Sequence, residues 1–410
     1  MKKGKNLKEN SGASKGTKSY NGSMFDKKNP WLQTISSLTV AITALVFLMV
    51  LVVMCTLQQV QMGTWAAVDK YFRSAFLYGA LPGTDLLVPI FPAGGAVGLL
   101  LLLNVIGSMI VRVRRDLTKA GIWLIHVGLV LLVMGEFVTG IFAVETQMAV
   151  DEGQSANYTV STRKNELAVF DRSDPTHETV YAMKSETLRS GKIISNEAWP
   201  FKLRIANFYQ NADAGLRPQS MNLPPSPATR GPGAAMLVRK QSVVSDDNRR
   251  NLPAAYIDVI SEGKPIGTWL LWSGLDGIQT FSVEGRRFAF QMRPLRRYLP
   301  FTVTLKDFKF DRYPGTNIPK NFSSLVRLQN PVTGEDRETL IYMNNPLRYL
   351  GRTFYQASYG KDETMSVLQV VENPGWLLPY ISFVLMAIGL CVHFGLMISK
   401  FKPATVGKGS

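Results

Sequence analysis

Four long apolar runs divide the chain into membrane-spanning and water-exposed parts. They lie at residues 31–57, 93–111, 119–145 and 376–399. An α-helix needs about 20 apolar residues to cross the hydrocarbon core of a bilayer, and we therefore predict four transmembrane helices. The first run is interpreted as an anchor rather than a signal peptide, because it is too long and no small-residue cleavage site follows it.

The segment between the third and fourth apolar runs has the pattern of a β domain. Its short stretches of β-branched and aromatic residues partly alternate with polar ones and are separated by Gly, Pro, Asn and Asp. Examples are ELAVFD, FKLRIANFY, AAYIDVI, RFAFQM, FTVTLKDFKF and SVLQVV. We predict a mainly β domain, a sandwich or a barrel-like sheet, inserted before the last helix. Residues 210–235 hold several prolines and few large hydrophobic residues, and we expect a long mobile loop there.

A shorter amphipathic segment lies between the first two apolar runs. Apolar side chains in residues 64–78 recur at helical spacing with charged residues between them. This pattern fits a helix in the outer membrane interface and, equally well, a helix in an ordinary loop. The expected division is a disordered tail at 1–29, three spans with this segment at 30–143, the β domain at 144–374, the fourth span at 375–400 and a second tail at 401–410.

Charge sets the expected orientation of the spans. The chain has 46 Lys and Arg against 30 Asp and Glu, a formal net charge of +16, but no basic motif with interleaved aromatic residues that would indicate nucleic-acid binding. Basic residues concentrate at the cytoplasmic ends of membrane spans. Such residues are Arg112, Arg114, Arg115, Lys119, Lys400 and Lys402. Both termini are therefore predicted to be cytoplasmic, with the β domain on the outer side.

Two of the three histidines lie inside apolar runs. His126 follows Lys119 by seven residues, and His393 precedes Lys400 by seven. An ionisable side chain in the membrane is costly and marks a candidate functional site, and imidazole is a common ligand of metals and haem iron. At about 1.5 Å per residue, each histidine would lie roughly 10 Å from the cytoplasmic boundary. We therefore expect both at the same depth.

Equal depth allows three arrangements. If the third and fourth spans are neighbours, His126 and His393 can ligate one haem from both sides, as in membrane b-type cytochromes. Each can instead pair with a histidine of another subunit. The third arrangement is two unrelated polar residues at helix ends that bind no haem. The arginines at residues 112–115 could meet haem propionates, although topology anchors explain them equally well.

The remaining ionisable candidates have simpler interpretations. Glu136, in the outer third of the third run, is interpreted as reaching towards the interface, with a role in a proton or haem path as the alternative. His177 lies in the turn DPTHETV and is interpreted as a surface residue. Cys55 and Cys391 lie in apolar runs and cannot form a disulfide bond within the β domain. The sequence of this domain shows no nucleophile with a base and no phosphate-binding loop, so we expect it to bind rather than catalyse.

Three stretches carry motifs of a known family. They are LLLNVIGSMIVRVRRDLTKAGIWLIHVGLVLLVMGEFVTG at 101–140, LPFTVTLKDFKFDRYPGTNIPKNFSSLVRL at 299–328 and IYMNNPLRYLGRTFYQASYG at 341–360. With the order of four spans and a large insert before the last, they resemble the ResB family, also called CcsB, of system II cytochrome c biogenesis. The resemblance covers nearly everything from Pro30 to Lys400.

This resemblance implies a protein of the bacterial inner membrane that acts with a partner of the ResC or CcsA kind. Together, such proteins bring haem across the membrane and present it, reduced, to the CxxCH motif of an exported apocytochrome c. The resemblance implies that His126 ligates haem, commonly together with a histidine of the partner. The partner's tryptophan-rich motif is absent from this sequence, so we expect a non-autonomous subunit of a haem lyase. The alternatives are an electron-transferring b-type cytochrome subunit and a scaffold that binds no haem.

Overall fold

The computed structural model describes residues 29–84, 86–113, 116–218, 225–244, 250–316, 319–360 and 364–400. The predictions made for both terminal tails, for Arg114 and Arg115 and for Lys402 fall outside these residues. The chain forms two compact units. Each unit is considered only over its described residues. The helical unit consists of Met1–Leu48, Ala96–Val133 and Tyr380–Ser410. The β-rich unit consists of Met49–Gly95 and Met134–Pro379.

Within the described residues, four helices are long and apolar enough to cross a membrane. The α-helices are α1 (Pro30–Ile35), α2 (Leu38–Met62), α3 (Thr64–Val68), α4 (Gly94–Val111), α5 (Ala120–Phe142) and α6 (Leu378–Lys400). The four long ones are α2, α4, α5 and α6, and most of their residues are not buried by other parts of the chain. Apolar surface of this kind suits a lipid environment. The predicted class, with a large β-rich region between the third and last long helix, is confirmed.

The first apolar run is broken near its start, which the sequence pattern did not predict. Helix α1 ends at Ile35 and α2 begins at Leu38, with Ser36 and Ser37 between them. The Asn104 amide on α4 donates to the carbonyls of Ile35 (2.6 Å) and Ser37 (2.9 Å). Arg112 Nε donates to the Ser36 carbonyl at 2.7 Å. Side chains of α4 thus satisfy the carbonyl groups that the helix break leaves without partners.

The segment at residues 64–78 is helical only in its first half. Helix α3 continues as a wider helical turn over Asp69–Arg73, and the chain then becomes a strand. This strand, β1 (Phe76–Ala80), pairs with β2 (Leu87–Pro92) in a hairpin. The turn near Pro82 and Gly83 brings two stretches rich in aromatic and aliphatic residues together, which favours strand over helix.

The β-rich region contains sixteen further strands within the described residues. They are β3 (Val144–Asp151), β4 (Ser155–Asp171), β5 (Thr179–Lys184), β6 (Ile193–Ser195), β7 (Lys202–Tyr209), β8 (Ala212–Leu216), β9 (Met236–Lys240), β10 (Ala254–Ser261), β11 (Lys264–Trp272), β12 (Gln279–Val283), β13 (Arg286–Arg312), β14 (Pro319–Asn330), β15 (Glu335–Tyr342), β16 (Leu347–Tyr349), β17 (Arg352–Tyr359) and β18 (Met365–Glu372). The largest sheet has the order β15-β14-β13-β4-β3-β18-β17-β16, with β12 added beside β13 and β5 beside β4. This sheet is nearly barrel-shaped, and its two end strands, β15 and β16, are joined by a short turn in which Tyr342 and Asn345 form a bridge. A second sheet has the order β11-β10-β7-β6.

Two hydrophobic cores are built along the single strand β13. Its first half contributes Phe288 and Phe290 to a core shared with the second sheet. Its second half contributes Phe301 and Val303 to the interior of the barrel-like sheet. The stretches RFAFQM and FTVTLKDFKF, identified above as separate strands, are therefore parts of one. The pairing of β13 with β4 shifts register after Pro294 and again between Tyr298 and Val303, so the strand passes its prolines at irregular positions.

Much of the segment at 210–235, expected to be a long mobile loop, has regular contacts. Strand β8 lies in its first part and pairs with β9. The amides of Thr229 and Arg230 both donate to the Thr268 carbonyl on β11. Residues 219–224 lie outside the description. Strand β8 was not recognised in the sequence because its small residues, ADAGL, show little hydrophobic alternation.

Candidate functional site

His126 is half-buried on α5 and hydrogen-bonds to its own helix. Its Nδ1 lies 2.9 Å from the carbonyl oxygen of Ile122, one turn earlier. A carbonyl only accepts, so Nδ1 carries the proton and donates it. The lone pair is then on Nε2. A ring whose other nitrogen is held by a carbonyl is the usual form of a metal-ligating histidine. His126 thus has the tautomer and orientation of a ligand.

Glycines on α5 bring this helix into backbone contact with α6. A Cβ built at Gly121 would lie 2.5 Å from the His393 amide nitrogen, and one at Gly128 would lie 2.9 Å from the Ser382 carbonyl oxygen. From α6, a Cβ at Gly389 would lie 2.9 Å from the Ile125 amide nitrogen. Small residues permit helices to approach this closely. We call Gly121, Gly128 and Gly389 the glycine seam.

The seam fixes where the two membrane histidines lie. His126 is five residues after Gly121, which places it about 140° around the helix from the seam and about 7.5 Å further along the axis. His393 is beside Gly121. The backbone levels of the two histidines on the helix pair therefore differ from the expected equal depth. The flanking lysines did not define the depth of the histidines accurately, because a long side chain can reach the membrane boundary from more than one turn of a helix.

His393 has a different environment from His126. Its ring is half-buried and lies edge-on to Phe394, with the ring centroids 5.6 Å apart. Among the described residues, none hydrogen-bonds to this imidazole. His393 thus lacks the fixed tautomer that the Ile122 carbonyl gives to His126.

Each of the other ionisable candidates that the structure describes has its own surroundings. The Nε of Arg112 is engaged with the Ser36 carbonyl, so this arginine supports the helix break whatever else it contacts. The Glu136 side chain is exposed on α5. His177 is a surface residue, as interpreted, with a side chain 65% exposed and an ion pair to Asp174 at 3.2 Å.

The glycine seam was the part of the site that sequence reasoning missed. The signal was present, because Gly121, Gly128 and Gly135 recur every seven residues, as do Ser382 and Gly389. Small residues at this spacing lie along one face of a helix and mark a helix–helix contact. Recognising it would have shown that His126 lies on a different face of α5.

Comparison with known proteins finds similarity to one family and to one curated relative. Residues 277–367 match the model of the ResB-like family. Protein NrfI of Wolinella succinogenes is 26% identical to the chain over 282 residues, which are 68% of this chain and 28% of that protein. The chain thus spans little more than a quarter of the length of this relative.

The fold defines a class of protein with four membrane-spanning helices and a large β-rich domain before the last of them. Within residues 277–367 the chain is similar to the ResB-like family. The family match falls on β12 to β18, and the comparison with NrfI extends the similarity over two thirds of the chain.

Proposed function

We propose that this chain is the ResB-type subunit of a system II cytochrome c maturation complex. In this role it binds haem in the membrane at His126 and delivers it for covalent attachment to an exported apocytochrome c. The match to the ResB-like family model and the similarity to NrfI support the biogenesis role. The observation that carries the haem assignment is the bond from His126 Nδ1 to the Ile122 carbonyl, which leaves Nε2 free as a ligand.

The residues present fit a site at which His126 would help to hold a b-type haem. His126 is half-buried rather than enclosed, and it lies away from the glycine seam, so a flat group can approach Nε2 without separating α5 from α6. A second residue would help His126 to hold the haem, and the backbone of His393 lies about 7.5 Å from the level of His126 along the helix axis. We propose a histidine of a partner of the ResC or CcsA kind. When bound, haem would supply the vinyl groups that react with the cysteine thiols of the apocytochrome.

The proposed orientation follows from the basic residues at one end of the spans. It puts both termini in the cytoplasm of a bacterium, the β-rich domain on the periplasmic side and His126 nearer the cytoplasmic face of the inner membrane. The β-rich domain then holds apocytochrome or partner. The lyase activity belongs to the complex, since the chain's own role is to bind and position.

Reduced-minus-oxidised spectra of the chain copurified with its partner test the haem assignment. We expect His126→Gly to lose most of the b-type signal and added imidazole to restore it, because free imidazole can occupy the space of the missing ring. His393→Ala is the matched control and should retain haem. Full haem retention in His126→Gly, or equal loss in the two variants, would contradict the assignment.

A further inference from the structure

Strand β12 is at the edge of the sheet formed with β13, β4 and β5. Phe281 and Val283 point into the core and are 7% and 5% exposed, whereas Thr280 and Ser282 are exposed. No other described strand pairs with the outer side of β12. Edge strands present a row of backbone donors and acceptors to any chain that can pair with them.

The hairpin geometry shows which backbone groups face outward. Glu284 (φ 50°) and Gly285 (φ 74°) form a two-residue turn of the type that needs two positive φ angles. The flanking pair, Val283 and Arg286, is then hydrogen-bonded, and the pairs alternate from there. The N–H and C=O groups of Thr280 and Ser282 therefore point away from β13.

Two cavities open along this strand. One has a volume of about 540 Å³ and the other about 790 Å³, and both are lined by Thr280, Phe281 and Ser282. Arg230 and Asp276 line the first, and the second is lined by side chains of both charges, Arg287 and Glu178 among them. A strand can thus lie beside β12 with room for side chains, and the mixed charges do not demand one particular sequence.

The edge of the second sheet, at β11, is covered by another segment of the chain. On β11, the Thr268 carbonyl accepts from the amides of Thr229 and Arg230, and the Thr268 amide donates to the Thr229 hydroxyl. The chain covers that edge with its own backbone. The outer edge of β12 has no such cover among the described residues, although it has exposed backbone groups of the same kind.

We propose that the outer edge of β12 binds an extended polypeptide by strand addition, and that the occupant is a segment of the apocytochrome c. This identity of the occupant rests on the function proposed above. A cytochrome polypeptide without haem lacks its folded core, so its backbone is extended and free to pair. Pairing through main-chain groups tolerates different sequences, as a maturation factor that serves unfolded substrates requires.

Substitution of Ser282 by proline tests the edge. Proline removes the outward N–H and places a ring on the pairing side, but it leaves the bonds to β13 intact because Ser282 does not donate to β13. Ser282→Thr is the matched control and keeps the N–H. The probe is a fluorescent peptide with an apocytochrome haem-attachment sequence in which both cysteines are serine, so that no thioether can form.

Anisotropy titrations use the full chain in lipid nanodiscs with its partner. We expect Ser282→Pro to weaken peptide binding by about tenfold or more, while Ser282→Thr binds as the wild type does. In the wild type, hydrogen exchange of residues 279–283 should slow when peptide is added. Equal affinity of the proline variant, no peptide binding by the wild type, or unchanged exchange in this segment would overturn the inference.

The same samples separate this inference from the proposed function. The b-type spectrum reports His126, and Ser282→Pro should leave it unchanged. Peptide binding that depends on Ser282 without any haem signal would reject haem delivery and retain the strand-addition site. Haem retention with peptide binding unaffected by Ser282→Pro would reject the site and retain haem delivery.

Discussion

Gly121 lies against the backbone of His393, with no space between them for a side chain. A Cβ at Gly121 would be 2.5 Å from the His393 amide nitrogen and 2.8 Å from its Cα. These atoms belong to backbone and cannot move aside as a flexible side chain can. Helices α5 and α6 are thus held together at this level, and His126 lies on another face of α5.

Substituting Gly121 by alanine should destabilise the helical unit. The added methyl group forces the helices apart, and overpacking of this kind costs about 1–3 kcal/mol. Thermal unfolding in detergent, followed by helical circular dichroism, measures the effect. Gly140→Ala is the control on the same helix, because its Cβ would meet nothing within 4 Å. We expect the control to be neutral or slightly stabilising, and equal effects at both positions would contradict the close contact.

Removing the amide of Asn104 should loosen α1 from α4. Asn104→Leu retains the size of the side chain but removes two donors, to the carbonyls of Ile35 and Ser37. Hydrogen bonds between membrane helices contribute about 0.6 kcal/mol each on average, so a loss of roughly 1 kcal/mol is expected. Thr56→Val is the control, since the Thr56 hydroxyl bonds only within α2, to the Val52 carbonyl. Unfolding midpoints that fall equally in both variants would argue against a role specific to Asn104.

The buried ion pair between Glu166 and Arg293 should be costly to break. Arg293 Nε lies 2.8 Å from Glu166 Oε1, and the side chains are 4% and 2% exposed. Glu166→Gln leaves the guanidinium charge buried without its counter-ion, a loss of about 3–5 kcal/mol. Tryptophan fluorescence during urea unfolding measures this loss. The double variant Glu166→Leu, Arg293→Met should recover most of it, and failure to recover would contradict an electrostatic origin.

A surface pair provides the control for that measurement. Glu335 and Arg337 are linked at 2.7 Å, but both side chains are a third or more exposed to water. Exposed pairs contribute little to stability. Glu335→Gln should therefore unfold at nearly the wild-type urea concentration. A loss comparable with that of Glu166→Gln would show that burial is not the deciding factor.

Stability should fall in acid in a way that depends on Asp171. Burial alone would raise the pKa of this carboxyl, but hydrogen bonds from Ser173 and the Arg286 guanidinium outweigh it and hold the pKa below its ordinary 3.8. A lowered pKa stabilises the folded state above pH 3.8, and this contribution is lost as the pH falls through the folded value. The wild type should thus be more stable than Asp171→Asn near pH 6, with the difference shrinking below about pH 3.8.

Urea unfolding of both proteins between pH 3 and pH 7 checks this dependence. Asp276→Asn is the control, because Asp276 is an exposed carboxylate in the loop before β12. This control measures the part of the pH dependence that does not come from Asp171. A difference between wild type and Asp171→Asn that stays constant with pH would contradict the proposed linkage.

The sequence predicted the elements of the fold better than their junctions. Hydropathy located the four long helices because each run exceeds the length that lipid requires. It could not show the break at Ser36 and Ser37, since the partner that makes the break favourable is Asn104, more than 60 residues away. The prolines in β13 likewise suggested two strands, because local preference does not show the pairing with β4 that continues through them.

The ligand role of the candidate site stays a prediction. The chemistry of His126 followed from an ionisable ring in an apolar run, and its fixed tautomer agrees with a ligand role. The expected level of His393 was inaccurate because it depended on lysines at the helix ends, whereas glycine contacts set the helix register. The edge of β12 was not recognised, since its five residues show an edge only when the order of the strands is known.

Strand β13 has a consequence for dissecting this protein into fragments. One end of the strand completes the core beneath the second sheet, and the other end completes the interior of the barrel-like sheet. The stretch that matches the family model begins shortly before β13, but it leaves out β3 and β4, which close the barrel-like sheet. A fragment limited to that stretch would lack strands that cover each of the two hydrophobic cores. The smallest fragment that folds on its own must therefore begin no later than Val144 and extend through β18.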